Sequence, residues 1–157
     1  MRRASIVATL AAGALCASVA GASTPTPPDA RTTEQVRVEL LEGFMSALAV
    51  EDGDRASRAT LPYVHPSLRN ASGDDLADDV KRFSFKKARS NVASYPRPLR
   101  VVRVSQTAIT AIGPAHKGAE GAVVDYYLLR NGGAPAPIRV FFPRDGARPT
   151  VAYMGSL

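Results

Sequence analysis

Val123-Val124-Asp125-Tyr126-Tyr127-Leu128-Leu129-Arg130 runs into Asn131-Gly132-Gly133 and, after a short linker, into Ile138-Arg139-Val140-Phe141-Phe142. β-branched and aromatic side chains suit a pleated, half-buried surface, so both apolar runs read as strands. The two glycines between them supply backbone that can turn through positive φ. Arg144-Asp145-Gly146 is a second turn signal, and residues 150–155 follow as a closing strand. Upstream, the valine-rich residues 99–104 form another strand, which residues 108–112 either continue or follow as a separate one. Connections this short join antiparallel neighbours.

Before the strands the apolar period changes from two to between three and four. Thr32 as N-cap with Gln35 three residues later makes a capping box. Val36, Leu40, Leu41, Phe44, Ala47 and Leu48 then lie on one helical stripe, with Glu39 and Glu42 off it. Gly53 is expected to end this helix and Asp54 to cap a short second one reaching Leu61. Pro62 and Pro66 bracket an irregular Tyr63-Val64-His65 stretch. A third helix is expected from about Asp74, with Leu76, Val80 and Phe83 on one face. Phe85, Ala88 and Val92 then continue in a shifted phase, which suggests a bend near Ser84, and Pro96 and Pro98 stop it. Helices first and antiparallel strands second predict an α+β fold, a curved sheet with the helices on its concave face.

The N-terminus constrains the setting. Arg2 and Arg3 precede an apolar, alanine-rich run over residues 6–20, and Ala20-Gly21-Ala22 matches an A-x-A cleavage site. That order reads as a secretory signal over residues 1–22, not a membrane span, which needs about 20 strongly apolar residues. Leu15 precedes Cys16 where a lipobox wants a small residue, so lipoprotein anchoring is disfavoured. Cleavage removes the sole cysteine and leaves 18 basic and 14 acidic residues, a net charge of +4. A bacterial-type exported domain, periplasmic or extracellular, is the expected setting, with no transmembrane segment after cleavage. Residues 23–31 read as a Pro-rich tether and residues 32–157 as a single domain.

The element order, the helix end Ala49-Val50-Glu51-Asp52-Gly53-Asp54, the Tyr63-Val64-His65-Pro66 stretch and the closing pair Ile138-Arg139-Val140-Phe141-Phe142 and Val151-Ala152-Tyr153-Met154-Gly155 resemble the NTF2-like superfamily, also described as SnoaL-like or cystatin-like α+β. The resemblance spans nearly the whole domain and implies a cone-shaped fold. It also implies pairing into homodimers through the sheet. That fold hosts isomerases, dehydratases, adaptors and binding domains, so it does not choose a function.

Several residues carry chemistry. Asp125 interrupts an apolar strand and shares a face with Val123, Tyr127 and Leu129. Inside a cone it would be a general base, with Tyr127 or His65 beside it. The plainer expectation is an ion pair with Arg103 or Arg139 on an exposed face. His65, in a Pro-bounded loop, is more readily a capping or packing residue than an acid–base group, and His116 lies in a Gly-rich loop. Asp74, Asp75, Asp78 and Asp79 lack the alternation of a calcium loop and read as acids opening a helix. From Lys81 to Lys117 there are nine basic residues and no acid. Lys86, Lys87 and Arg89 are the candidates there for binding an anionic envelope polymer or lipid. An exported protein makes nucleic acid an unexpected partner. Asn70-Ala71-Ser72 matches a glycosylation acceptor but reads more simply as a loop. No metal pattern, cofactor loop or nucleophile motif is present, so no cofactor is expected. The leading expectation is a non-enzymatic exported domain that binds a small apolar ligand or a protein partner. The alternatives are an isomerase- or dehydratase-type enzyme with acid–base residues in the cone, and a basic surface module.

Overall fold

A computed structural model describes residues 30–107 and 121–157. The expected signal, most of the expected tether, the expected strand at 108–112 and His116 lie outside the described residues.

A first helix, α1, runs through three consecutive segments: Ala30–Val36, a π-helical Arg37–Leu41 and Glu42–Leu48. It is already under way at Ala30, so Thr32 sits in its first turns instead of capping it. The predicted stripe is the core face: Val36, Leu40, Leu41, Phe44, Ala47 and Leu48 are buried, and Met45 joins them. The π turn explains the extra breadth. Its Glu42 N–H bonds back to the Arg37 carbonyl, one residue further than in an α-helix, which lets Leu40 and Leu41 both face inward.

The second helix, α2, spans Gly53–Thr60. Its cap is Asp52, not Asp54. Asp52 has extended backbone and its carboxylate accepts from the Arg55 N–H at 2.7 Å, whereas Asp54 falls in the first turn. The third helix, α3, comprises a π-helical Val80–Phe85 and an α-helical Lys86–Asn91. It begins later than the sequence suggests because Asp74 and Asp75 serve the preceding loop. The phase shift near Ser84 is this π turn. It rotates Phe83 outward to 66% exposure and brings Phe85 and Ala88 into the core, so Phe83 does not share the face of Leu76.

Four strands follow: β1 (Val101–Thr107), β2 (Gly121–Leu128), β3 (Ala136–Pro143) and β4 (Thr150–Tyr153). They form an antiparallel sheet in the order β1-β2-β3-β4. Gly132 and Gly146 take positive φ at the two predicted turns. Val124, Tyr126, Leu128, Ile138, Val140 and Val151 point toward the helices and complete one core with α1, α2 and α3. Val123, Phe141 and Ala152 form a small cluster on the opposite face. The α+β class is therefore as predicted, with three helices packed on one face of an open sheet. Among the described residues no helix is long and apolar enough to cross a membrane.

Candidate functional site

Asp125 sits midway along β2, and strand alternation turns it away from the helices, since Val124 and Tyr126 on either side belong to the core. Its cross-strand partner is Arg139. Arg139 donates from Nε to Oδ1 at 2.9 Å and from Nη2 to Oδ2 at 3.2 Å. This two-bond fork is the strong form of an Arg–carboxylate contact. The Arg139 guanidinium also lies 5.5 Å from the centre of the Tyr153 ring. One rung along, Arg103 stands opposite Tyr127 and lies over its ring at 3.6 Å. Asp125 and Tyr127 thus share a face, as predicted, and each is engaged by an arginine.

His65 meets the same face from the side. Val64 bridges to Val151 in parallel, and the His65 N–H donates to the Val151 carbonyl at 2.8 Å. The imidazole lies edge-on to Phe141 with centroids 5.1 Å apart. Nδ1 accepts from the Ser67 N–H at 3.2 Å, capping the short 3₁₀ turn Pro66–Leu68. His65 packs and caps here, while Asp125 and Tyr127 lie further into the sheet.

A different region forms a concave site. Between α1 and the β3–β4 hairpin lies a cavity of about 250 Å³. Val36, Leu40, Phe142, Pro143 and Pro149 give it an apolar lining, and Gln35, Glu39 and Arg148 stand among its polar members. The wall is built by a relay of contacts. A Cβ on Gly43 would stand 2.6 Å from the Tyr63 ring, so glycine lets that ring lie against α1. Arg148 then lies 5.6 Å over the Tyr63 ring and donates to the Glu39 carbonyl at 2.7 Å, tying the hairpin to the helix.

A core residue next to the cavity lining carries a polar atom without a counterpart among the described residues. Tyr126 is fully buried, and its hydroxyl has no hydrogen-bond partner among the described residues. Burial pushes its phenol well above the ordinary tyrosine range. Its ring lies 6.5 Å from that of Phe142, which lines the cavity. An aromatic in an apolar strand is first a core residue, so the sequence gives no sign of the Tyr126 hydroxyl. Nor does it single out Glu42. It lies off the apolar stripe, yet its carboxylate accepts from the Leu99 N–H at 2.5 Å, from Arg37 at 3.0 Å and from Arg97, anchoring the approach to β1.

The basic tract divides by use. Arg89 donates to the carbonyls of Val50 and Glu51 at 2.7 Å each and to that of Leu48 at 3.3 Å, closing the end of α1. Lys87 reaches the Gly155 carbonyl at 2.8 Å, and Lys86 is exposed. Lys86 and Arg89 border a shallow depression with Leu48, Ala49, Ser90 and Val92. The acids serve the loop before α3. Asp74 accepts from Asn70 at 2.8 Å and Ser72 at 2.5 Å, and Asp75 from Ser57, the Leu76 N–H and Lys81. Among the described residues no cluster could hold a metal ion.

Comparison with protein-family models, with curated proteins and with solved structures finds no match.

Proposed function

We propose that this chain is a non-enzymatic binding domain that takes a small, mostly apolar molecule into the cavity between α1 and the β3–β4 hairpin. The observation that carries the reading is the cavity itself, about 250 Å³ with an apolar lining and a few polar groups among it. Binding sites for small molecules have that composition. The volume exceeds the roughly 150 Å³ that accommodates benzene and falls below the roughly 300 Å³ at which drug-sized pockets begin. The ligand is accordingly a molecule a little larger than a single ring. The Asp125–Arg139 fork supports the same reading, because an acid held by two bonds to arginine serves the sheet more readily than it serves a substrate.

The NTF2-like cone belongs to this proposal, supported by helices ahead of an antiparallel meander. So does an exported setting, which rests on residues 1–22. Ala147 is an exposed member of the cavity lining, so enlarging it obstructs the site without disturbing the core. Uptake of α-methylstyrene, followed by ligand-observed NMR, should be saturable in the parent protein and lost in Ala147→Trp. Uptake unaffected by that substitution would place the site elsewhere.

A further inference from the structure

The ring that carries the unpartnered hydroxyl of Tyr126 neighbours Phe142, whose own ring lines the cavity. Tyr126 pairs with Ile138, and Phe142 lies four residues further along β3, opposite Ala122. At about 3.3 Å per residue the two backbone positions are roughly 13 Å apart along the sheet. Their ring centres are nevertheless 6.5 Å apart. Both side chains belong to the helix-facing side, so the Tyr126 ring is a close neighbour of a ring that lines the cavity.

A buried hydroxyl with no partner is costly, and native proteins leave few of them. Tyr126 has 0% exposure and its hydroxyl is unpaired among the described residues, so it is a donor held ready without an acceptor there. Phe142, which is only partly buried, is both the neighbour of the Tyr126 ring and part of the cavity lining. We infer that Phe142 is a gate and Tyr126 a polar anchor: the ligand is an apolar molecule bearing one acceptor oxygen, a ketone or similar carbonyl, which the Tyr126 hydroxyl binds once the Phe142 ring turns aside.

This rests on the reading that the cavity holds a ligand, and a matched pair of probes separates the two statements. Acetophenone carries a carbonyl, and α-methylstyrene has nearly the same shape with a methylene in its place. Their affinities for the protein and for Tyr126→Phe are measured by ligand-observed NMR. Tyr126→Phe should weaken acetophenone about tenfold, the worth of one hydrogen bond, and leave α-methylstyrene unchanged. If the substitution weakens both probes alike, or neither, the anchor is wrong while the cavity reading stands. If the parent protein takes up neither probe, both statements fall. The carbonyl resonance of ¹³C-labelled acetophenone supplies a reading on the parent protein alone, independent of whether the variant folds. A bound resonance clearly downfield of that of acetophenone in alkane is expected, and a bound resonance at the alkane position would overturn the anchor.

Discussion

Asp125 and Arg139 stand directly opposite each other on β2 and β3, and their side chains close a two-bond fork at 2.9 and 3.2 Å. Their side chains are 10% and 20% exposed, so the pair is largely withdrawn from water. Removing one member strands the other charge. Asp125→Ala should cost about 3 kcal/mol in urea unfolding, the lower end of the range for breaking a buried pair, because Arg139 keeps some access to water. Replacing both, Asp125→Val with Arg139→Met, should recover most of that loss. A single-variant cost under about 1 kcal/mol would mark the pair as an ordinary surface contact.

Gly121 pins the start of β2 against β3. A Cβ there would stand 2.2 Å from the Phe142 carbonyl oxygen and 2.7 Å from the Phe141 ring. Backbone cannot swing aside as a side chain can, so Gly121→Ala should destabilise by about 1–3 kcal/mol, the usual cost of overpacking. It should also displace Phe142 and so weaken uptake of α-methylstyrene. Thermal unfolding and the probe titration read the two effects separately.

The Asp75 carboxylate joins α2 to α3 by accepting from Ser57 and from Lys81, the latter at 2.6 Å. Burial opposes its ionisation, but the bonds from Lys81 and Ser57 outweigh burial and hold its carboxyl below the ordinary value of 3.8. A depressed folded pKa contributes stability that is present above the unfolded value and lost as pH falls through the folded one. Unfolding midpoints should therefore drop as pH is lowered through and below about 4. Asp75→Asn should lower stability at neutral pH and flatten that acid limb. An acid limb of unchanged steepness in Asp75→Asn would assign the dependence to other groups.

Arg89 and its lysine neighbours should separate in a stability assay. Arg89→Gln loses charge-assisted bonds to three carbonyls at the end of α1 and should cost about 2 kcal/mol. Lys86→Gln, on an exposed side chain, should change stability by less than about 0.5 kcal/mol. Lys86→Gln therefore tests anionic-surface binding with the fold intact, by retention on vesicles containing anionic lipid. Equal destabilisation by Arg89→Gln and Lys86→Gln would contradict the division of roles.

The α+β class and most of the core were legible because period alone reveals a buried face. The stripe from Val36 to Leu48 and the inward residues of β2 and β3 are buried where their spacing predicts. Phe83 was misplaced because a π turn changes the count of residues per turn, and nothing in the composition announces where one falls. Asp52 and Asp54 flank Gly53 as two possible caps, and only backbone conformation distinguishes them. The ion pair of Asp125 was legible as one of two arginine choices, and cross-strand register selects Arg139. The cavity was not legible, since it lies between the start of α1 and a hairpin more than a hundred residues away. Tyr126 was hidden for a related reason: an unpaired hydroxyl is a property of its surroundings, not of its place in a strand.

The central claim, a ligand site between α1 and the β3–β4 hairpin, is tested most directly by a ¹³C-methyl NMR titration of the protein with α-methylstyrene. Saturable shifts should appear at the methyls of Val36 and Leu40, which line the cavity, and not at those of Val102 on β1. Shifts at Val102 without shifts at Val36 and Leu40, or no saturable shift at all, would contradict it.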